Sequence, residues 1–241
     1  VKLHEALASA LVQEGVSTIF TLIDDPILAF VQCLLEHGIR IVSARHEQAA
    51  VGMADGYARS TGGIGVCVIG AGPAIAQTGT ALITARRNRT RLLVIAGDTP
   101  SAWRHHIKSF DQETFIRATA GSSYAPRDVA SAGAALGQAL RQIKSGGGPA
   151  VLSIASNLLD AALPAPWTHL PDPALSRRTF PDPAAIRQAA SLLAAAQRPV
   201  LLAGGGAVAS GAKAAILRLA SATGALLATT IQARDWFRGD A

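Results

Sequence analysis

Cysteine and aromatic side chains are scarce in this sequence, and no long uninterrupted apolar run occurs in it. Cys33 and Cys67, the two cysteines among 241 residues, sit inside apolar segments with no Cys-x-x-Cys or Cys/His spacing. That pattern excludes a disulfide framework and a thiolate metal site, makes both small core residues, and leads us to expect a reducing, cytoplasmic setting. Aromatic residues amount to 5%, too few for the stacking platforms of a nucleic-acid surface. No apolar stretch nears the roughly 20 residues that a membrane span needs, and Val1-Lys2-Leu3-His4-Glu5 does not read as a signal peptide. Neither nucleic acid nor membrane is therefore an expected partner. There is no initiator Met, so we expect a processed chain or an excerpt of a longer one.

Charged residues are also sparse, at 16%, with a formal net charge of +6. The one dense basic run, Arg86-Arg87-Asn88-Arg89-Thr90-Arg91, falls where a helix should end before a strand, and there cations suit the helix dipole. What the chain does have is apolar residues, 49% of the total, in blocks that alternate between helical and strand-like periods from end to end. This is the pattern of an α/β fold, doubly wound around a mainly parallel sheet with helices on both faces. The spacing predicts helices near 3–14, 26–37, 47–61, 74–86, 127–144, 183–196 and 211–223. Strands fall between them at 17–21, 39–43, 64–69, 91–96, 149–154, 199–203 and 225–229. Runs such as Gly65-Val66-Cys67-Val68-Ile69 are apolar without alternation, as expected of strands covered on both faces.

The composition changes between about 156 and 183, where Pro164, Pro166, Pro171, Pro173, Pro181 and Pro183 crowd a stretch without a sustained period. We read it as a stiff, extended linker. The expected organisation is one domain over 1–160, a Pro-rich linker over 161–182, and an incomplete Rossmann-like domain over 183–241. Gly204-Gly205-Gly206-Ala207-Val208-Ala209 after a predicted strand also matches the dinucleotide fingerprint G-x-G-x-x-A, but its acidic partner about 20 residues on is missing.

The strand ending near Ser43 delivers Arg45-His46-Glu47-Gln48 into a helix. A carboxylate at such a junction lies near apolar walls and helix-terminal N–H groups, so its proton affinity can be tuned. Glu47 suits hydrogen bonding to a protonated heterocyclic nitrogen; equally, it could serve the backbone N–H groups and the helix dipole. Asp55, two turns away, is too far for paired acid/base work.

The block from Arg45 to Gly62, with Met53-Ala54-Asp55-Gly56-Tyr57-Ala58-Arg59 inside it, then Gly72-Pro73 and Leu92-Leu93-Val94-Ile95-Ala96-Gly97-Asp98, resembles the pyrimidine-binding domain of thiamine diphosphate enzymes. The resemblance is to the acetolactate synthase, pyruvate oxidase and benzoylformate decarboxylase group, and Pro199–Thr230 is similar to the start of that group's central domain. It implies a lyase or transferase, a decarboxylase or carboligase, that acts on a 2-oxo acid with thiamine diphosphate. It also implies that Glu47 is catalytic: it would hydrogen-bond a ring nitrogen of the aminopyrimidine and so promote loss of the thiazolium C2 proton. Ile23, Asp24, Gly72, Pro73 and Gln77 match cofactor-binding positions. Mg²⁺ ligands are expected in a third domain that this chain does not include; FAD at the central domain is possible but not favoured. A homodimer or homotetramer is implied, because the cofactor lies between subunits in this group.

Several positions depart from the family pattern. Ile23-Asp24 stands at a Pro-Gly turn, and Asp24 would lack glycine's freedom at positive φ. Gly72-Pro73-Ala74 stands at Gly-Pro-Gly, and Gln77 at an Asn. Matching without gaps from Arg117 puts Ile107, Lys108 and Ser109 at a Phe-Gln-Glu motif and Gly121 at a Lys, while Asp111-Gln112 resembles an Asp-Gln pair. These departures leave open a non-catalytic nucleotide- or cofactor-binding module of the same fold. A dinucleotide-dependent oxidoreductase built on the Gly204 turn ranks behind it. His105-His106, beside Trp103 and Lys108, could line a substrate entrance, but an adjacent pair points its side chains in different directions and reads more readily as an exposed loop.

Overall fold

The structure, a computed structural model, describes residues 1–100, 105–165, 167–172 and 180–240. Trp103, Pro166 and Pro173 lie outside the described residues. The chain divides into two compact units, Val1–Arg177 and Arg178–Ala241.

In the first unit α1 (Leu3–Gln13) leads into β1 (Thr18–Leu22), a 3₁₀ turn (Asp25–Ile27), α2 (Leu28–Glu36), β2 (Arg40–Ser43) and α3 (Glu47–Thr61). β3 (Gly65–Ile69), α4 (Pro73–Ala76), α5 (Gly79–Asn88), β4 (Leu92–Asp98) and α6 (Gln112–Thr119) follow. β5 (Ser123–Tyr124), α7 (Val129–Lys144), β6 (Ala150–Ala155) and α8 (Ser156–Leu159) complete it. The strand order is β2-β1-β3-β4-β6-β5, and every pairing in it is parallel. The expected doubly wound parallel sheet is therefore present. Every residue of β3 is buried, because alternate side chains enter different cores. Val66, Val68, Leu93 and Ile95 pack with α1, α2 and α7. Cys67, Ile69, Leu92, Val94 and Ala96 pack with α3, α5 and α6. Gly65 lets α3 close on the sheet, since a Cβ there would lie 2.1 Å from the Ala54 carbonyl oxygen.

The chain leaves β1 toward β2 but leaves β3 in the opposite direction, toward β4. This reversal opens a crevice at the carboxyl ends of β1 and β3, where open α/β sheets bind ligands.

Three expectations need correction. The predicted helix 74–86 is two helices, broken where the buried Thr78 Oγ1 donates to the Ile75 carbonyl at 2.6 Å; the hydroxyl competes with the backbone for that acceptor. The predicted 26–37 helix begins with the 3₁₀ turn instead. The stretch after 156 is not simply extended: α8 forms there, and Leu163 and Trp167 pack against the core. Glu14 meets Lys144 and, at 2.6 Å, His169 Nε2. α6 was absent from the prediction.

The second unit contains α9 (Pro183–Ala195), β7 (Val200–Ala203), α10 (Gly205–Ala209), α11 (Lys213–Thr223) and β8 (Leu226–Thr229), with β7 and β8 parallel. Val200, Leu202 and Leu226 are largely exposed on this two-stranded sheet.

Candidate functional site

β2 ends at Ser43, and α3 begins with Glu47 in its first turn. The helix is capped by His46, whose backbone is extended (φ −159, ψ 140) and whose Nδ1 accepts from the Gln48 N–H at 3.1 Å. The local duty that a first-turn acid can perform is thus met by its neighbour. Glu47 is half-buried. Among the described residues its carboxylate has no hydrogen-bond or ion-pair partner. Its charge is felt by Cys67 on β3, whose thiol is pushed well up, first by complete burial and then by Glu47. The open carboxylate therefore overhangs the α3 side of the sheet near the β3 strand.

On the other side of the crevice Asp24 leaves β1 in an extended conformation (φ −138, ψ 157). The expected conflict with a glycine-only turn is absent, since any residue adopts this backbone. The Asp24 Oδ1 accepts from the Asp25 N–H at 2.9 Å and pairs with Lys108 Nζ at 2.5 Å. Its side chain packs on Gly70, where a Cβ would lie 2.2 Å from Asp24 Oδ2. Gly72 does need to be glycine: its φ is 60°, and a Cβ would meet the Lys108 carbonyl oxygen at 1.9 Å.

Behind this turn is a polar knot that sequence reasoning noticed only as a residue pair. Asp111 caps α6 by accepting from the Thr114 N–H. Gln112 is 2% exposed. Its Oε1 accepts from the Gly72 N–H at 3.1 Å, and its Nε2 donates to the Gly97 carbonyl at 3.1 Å and to Ser153 Oγ at 2.6 Å. One amide so ties the loop after β3 to the ends of β4 and β6, with every buried polar atom of that amide partnered. Ser153 Oγ also donates to Asp98 Oδ2 at 3.3 Å. Burial pushes the Asp98 carboxyl upward, against hydrogen bonds from Thr99 and Ser153 that lower it.

Of the six residues singled out in the sequence, Asp24 and Gly72 are brought together through Lys108. Glu47 stands apart on the α3 side, and Ile23, Pro73 and Gln77 face outward. None of the six lines the cavity of about 360 Å³ at the carboxyl end of the sheet, which is bordered by Asp25, Pro26, Ala71, Asp98, Thr99 and Lys108 among others. Their immediate neighbours Asp25 and Ala71 do. A larger cavity of about 510 Å³ in the second unit lies at the amino end of β8, beside Gly224 and Ala225. That is the wrong end of a parallel sheet for a ligand. The Gly204 turn opens α10, a helix of five residues. Among the described residues no His, Cys, Asp or Glu cluster fit for a metal occurs, and no helix is long and apolar enough to cross a membrane.

Comparison with known proteins points the same way. Residues 1–119 match the thiamine pyrophosphate enzyme N-terminal TPP binding domain, and residues 186–241 match the thiamine pyrophosphate enzyme central domain. The probable acetolactate synthase large subunit of Methanocaldococcus jannaschii is 29% identical over 98% of this chain and 41% of its own length. The glyoxylate carboligase of Escherichia coli O157:H7 is 32% identical over 91% of this chain and 38% of its own. The probable 2-ketoarginine decarboxylase of Pseudomonas aeruginosa is 36% identical over 88% and 39%. An X-ray structure from Mycobacterium smegmatis, described as a thiamin diphosphate-dependent enzyme, superimposes with a TM-score of 0.87 at 24% identity, over 96% of this chain and 45% of that one. The chain spans about two-fifths of the length of the curated relatives it matches.

Proposed function

This chain belongs to the thiamine pyrophosphate enzyme family, and on that premise we propose that it is part of an acetolactate synthase-like enzyme that decarboxylates or ligates 2-oxo acids. Residues 1–160 would be the pyrimidine-binding domain, 161–182 a linker, and 183–241 the beginning of the central domain.

The observation that carries the reading is Glu47: a half-buried carboxylate in the first turn of α3, without a described partner, beside a histidine that already caps the helix. A carboxylate relieved of its structural duty is a ready acceptor for a ring N–H, and apolar walls make such a bond strong. Thiamine diphosphate, when bound, supplies the electron sink that cleavage next to a keto group requires. Glu47 would fix the proton on the facing ring nitrogen, while Ile23, Asp24, Gly72, Pro73 and Gln77 would border the ring. The sequence has no Gly-Asp-Gly tripeptide, so Mg²⁺ and the diphosphate, which need hard oxygen ligands, would be held by other parts of the protein. A homodimer or homotetramer follows if those parts come from a second subunit. FAD is not favoured, given the short helix after the Gly204 turn.

Isothermal titration of the protein in its full natural length with thiamine diphosphate and Mg²⁺, paired with turnover assays on a panel of 2-oxo acids, tests this. Saturable binding with CO₂ release or carbon–carbon ligation is expected. Absence of binding overturns the reading; binding without turnover of any 2-oxo acid assigns the chain to a non-catalytic module.

A further inference from the structure

Two of the departures from the family pattern are the two ends of one contact. Asp24 and Lys108 lie 84 residues apart in the sequence, and their side chains meet at 2.5 Å. Each is about 70% buried. Each is also pinned to the same glycine turn by other atoms, Asp24 through its carboxylate against Gly70 and Lys108 through its carbonyl against Gly72. We propose that Asp24 and Lys108 are positioning residues that act as a pair, clamping the loops after β1 and β4 across the crevice so that the Gly70–Gly72 turn is held ready for its ligand.

The charge distribution around the pair makes the proposal directional. Asp25 and Asp98 border the same cavity as Lys108. Removing the lysine charge leaves Asp24 partly buried with only the Asp25 N–H and with acidic neighbours. Removing the Asp24 charge leaves Lys108 with other carboxylates nearby. Lys108→Gln is therefore the more harmful single change, and Asp24→Asn with Lys108→Gln restores a neutral pair that can hydrogen-bond.

The inference rests on the proposed function for the identity of the ligand, and two readouts separate them. The first needs no ligand: hydrogen exchange at the amides of 22–25 and 70–72. We expect each single variant to speed exchange there roughly tenfold, Lys108→Gln more than Asp24→Asn, with the double variant back within about threefold of the parent. Exchange in β3 should stay slow throughout, as a control for folding. Unchanged exchange in the single variants, or effects that multiply in the double, overturns the proposal. The second is affinity for thiamine diphosphate with Mg²⁺ in the full-length protein, expected to weaken about tenfold in the single variants and recover in the double. Equal affinity in all four proteins overturns the positioning role. If the parent binds no thiamine diphosphate the functional reading fails, and the exchange rates still decide whether the clamp exists.

Discussion

The two carboxylates of α3 have opposite surroundings although they sit two turns apart on one helix. Asp55 is 4% exposed; its Oδ2 receives Arg59 Nη2 at 2.7 Å and its Oδ1 receives Thr90 Oγ1 at 2.6 Å. Glu47, at the end nearest the crevice, has no such partners among the described residues. The helix also changes in what it packs against. Its middle presses Ala54 onto Gly65 at the start of β3, whereas its first turn faces the carboxyl ends of the strands. Buried polar groups in a fold are normally satisfied, so a half-buried acid left open at a strand end is where unfinished hydrogen bonding points to a ligand. Asp55 holds the scaffold; Glu47 is what the scaffold presents.

The contrast is broken most severely by Glu47→Gln, which keeps shape but cannot carry the negative charge. In the loaded full-length protein, exchange of the cofactor C2 proton should fall by roughly 10²–10⁴-fold, while the urea midpoint stays within error of the parent. Unchanged exchange would falsify the catalytic assignment. A large drop in stability would show instead that Glu47 is a scaffold residue like Asp55. The opposite outcome is expected for Asp55→Ala. Thr90, itself buried, loses its acceptor, and the half-exposed Arg59 turns to water, so the cost should be about 2–3 kcal/mol by urea denaturation. Asp55→Asn retains an acceptor for Thr90 and should lose less. Equal losses for Ala and Asn would mean that the Thr90 bond contributes nothing.

The difference between these two acids was only partly legible in the sequence. Periodicity gave α3 and its boundaries, because its helix follows a β-strand and ends at Gly62 in the left-handed region (φ 73), a strong local stop signal. The buried runs at β3 and β4 were legible for the same reason: parallel strands leave continuous apolar blocks. Its place at a strand-to-helix junction singled out Glu47, and the family resemblance favoured a catalytic role for it over a capping one. What stayed hidden depends on distance along the chain. The Asp24–Lys108 pair joins residues that nothing in either local pattern connects, and Gln112 reads as an ordinary helix-start residue until β4 and β6 are brought beside it. α6 was missed because only Gln112, Ile116 and Thr119 are buried in it, a face too polar to register as an apolar period. The Asp24 backbone was misjudged because the glycine of the pattern suggested positive φ, while here the chain stays extended and the side chain finds Lys108.

His46 is the hinge of the comparison, because its cap is what frees Glu47. His46→Ala should cost about 0.5–1 kcal/mol, a typical cap loss, and should spare Glu47-dependent proton exchange to within a few-fold. If exchange collapses as in Glu47→Gln while stability barely changes, Glu47 has swung in to cap the helix. The open state of that carboxylate then depends on its neighbour rather than on the crevice.

Asp98 supplies an intermediate case and the smallest expected effect. It accepts from Thr99 and Ser153, yet burial outweighs them and raises its carboxyl above the usual range. The folded state then keeps a proton that the unfolded chain has already released, so folding is favoured below the ordinary Asp value of about 3.9 and loses stability as pH rises from there until folded Asp98 ionises. Asp111 and Asp128, whose carboxyls are lowered by hydrogen bonds from Thr114 and Ser131, act with the opposite sign: their contribution is present above the ordinary value and is lost as pH falls. The total curve mixes both, so the informative quantity is the difference in urea midpoint between the parent and Asp98→Asn. That difference should move in favour of the variant as pH rises through the window just above the ordinary Asp value, then level off. A flat difference would place Asp98 with Asp55, as an acid whose partners offset its burial, and would set Glu47 apart from both.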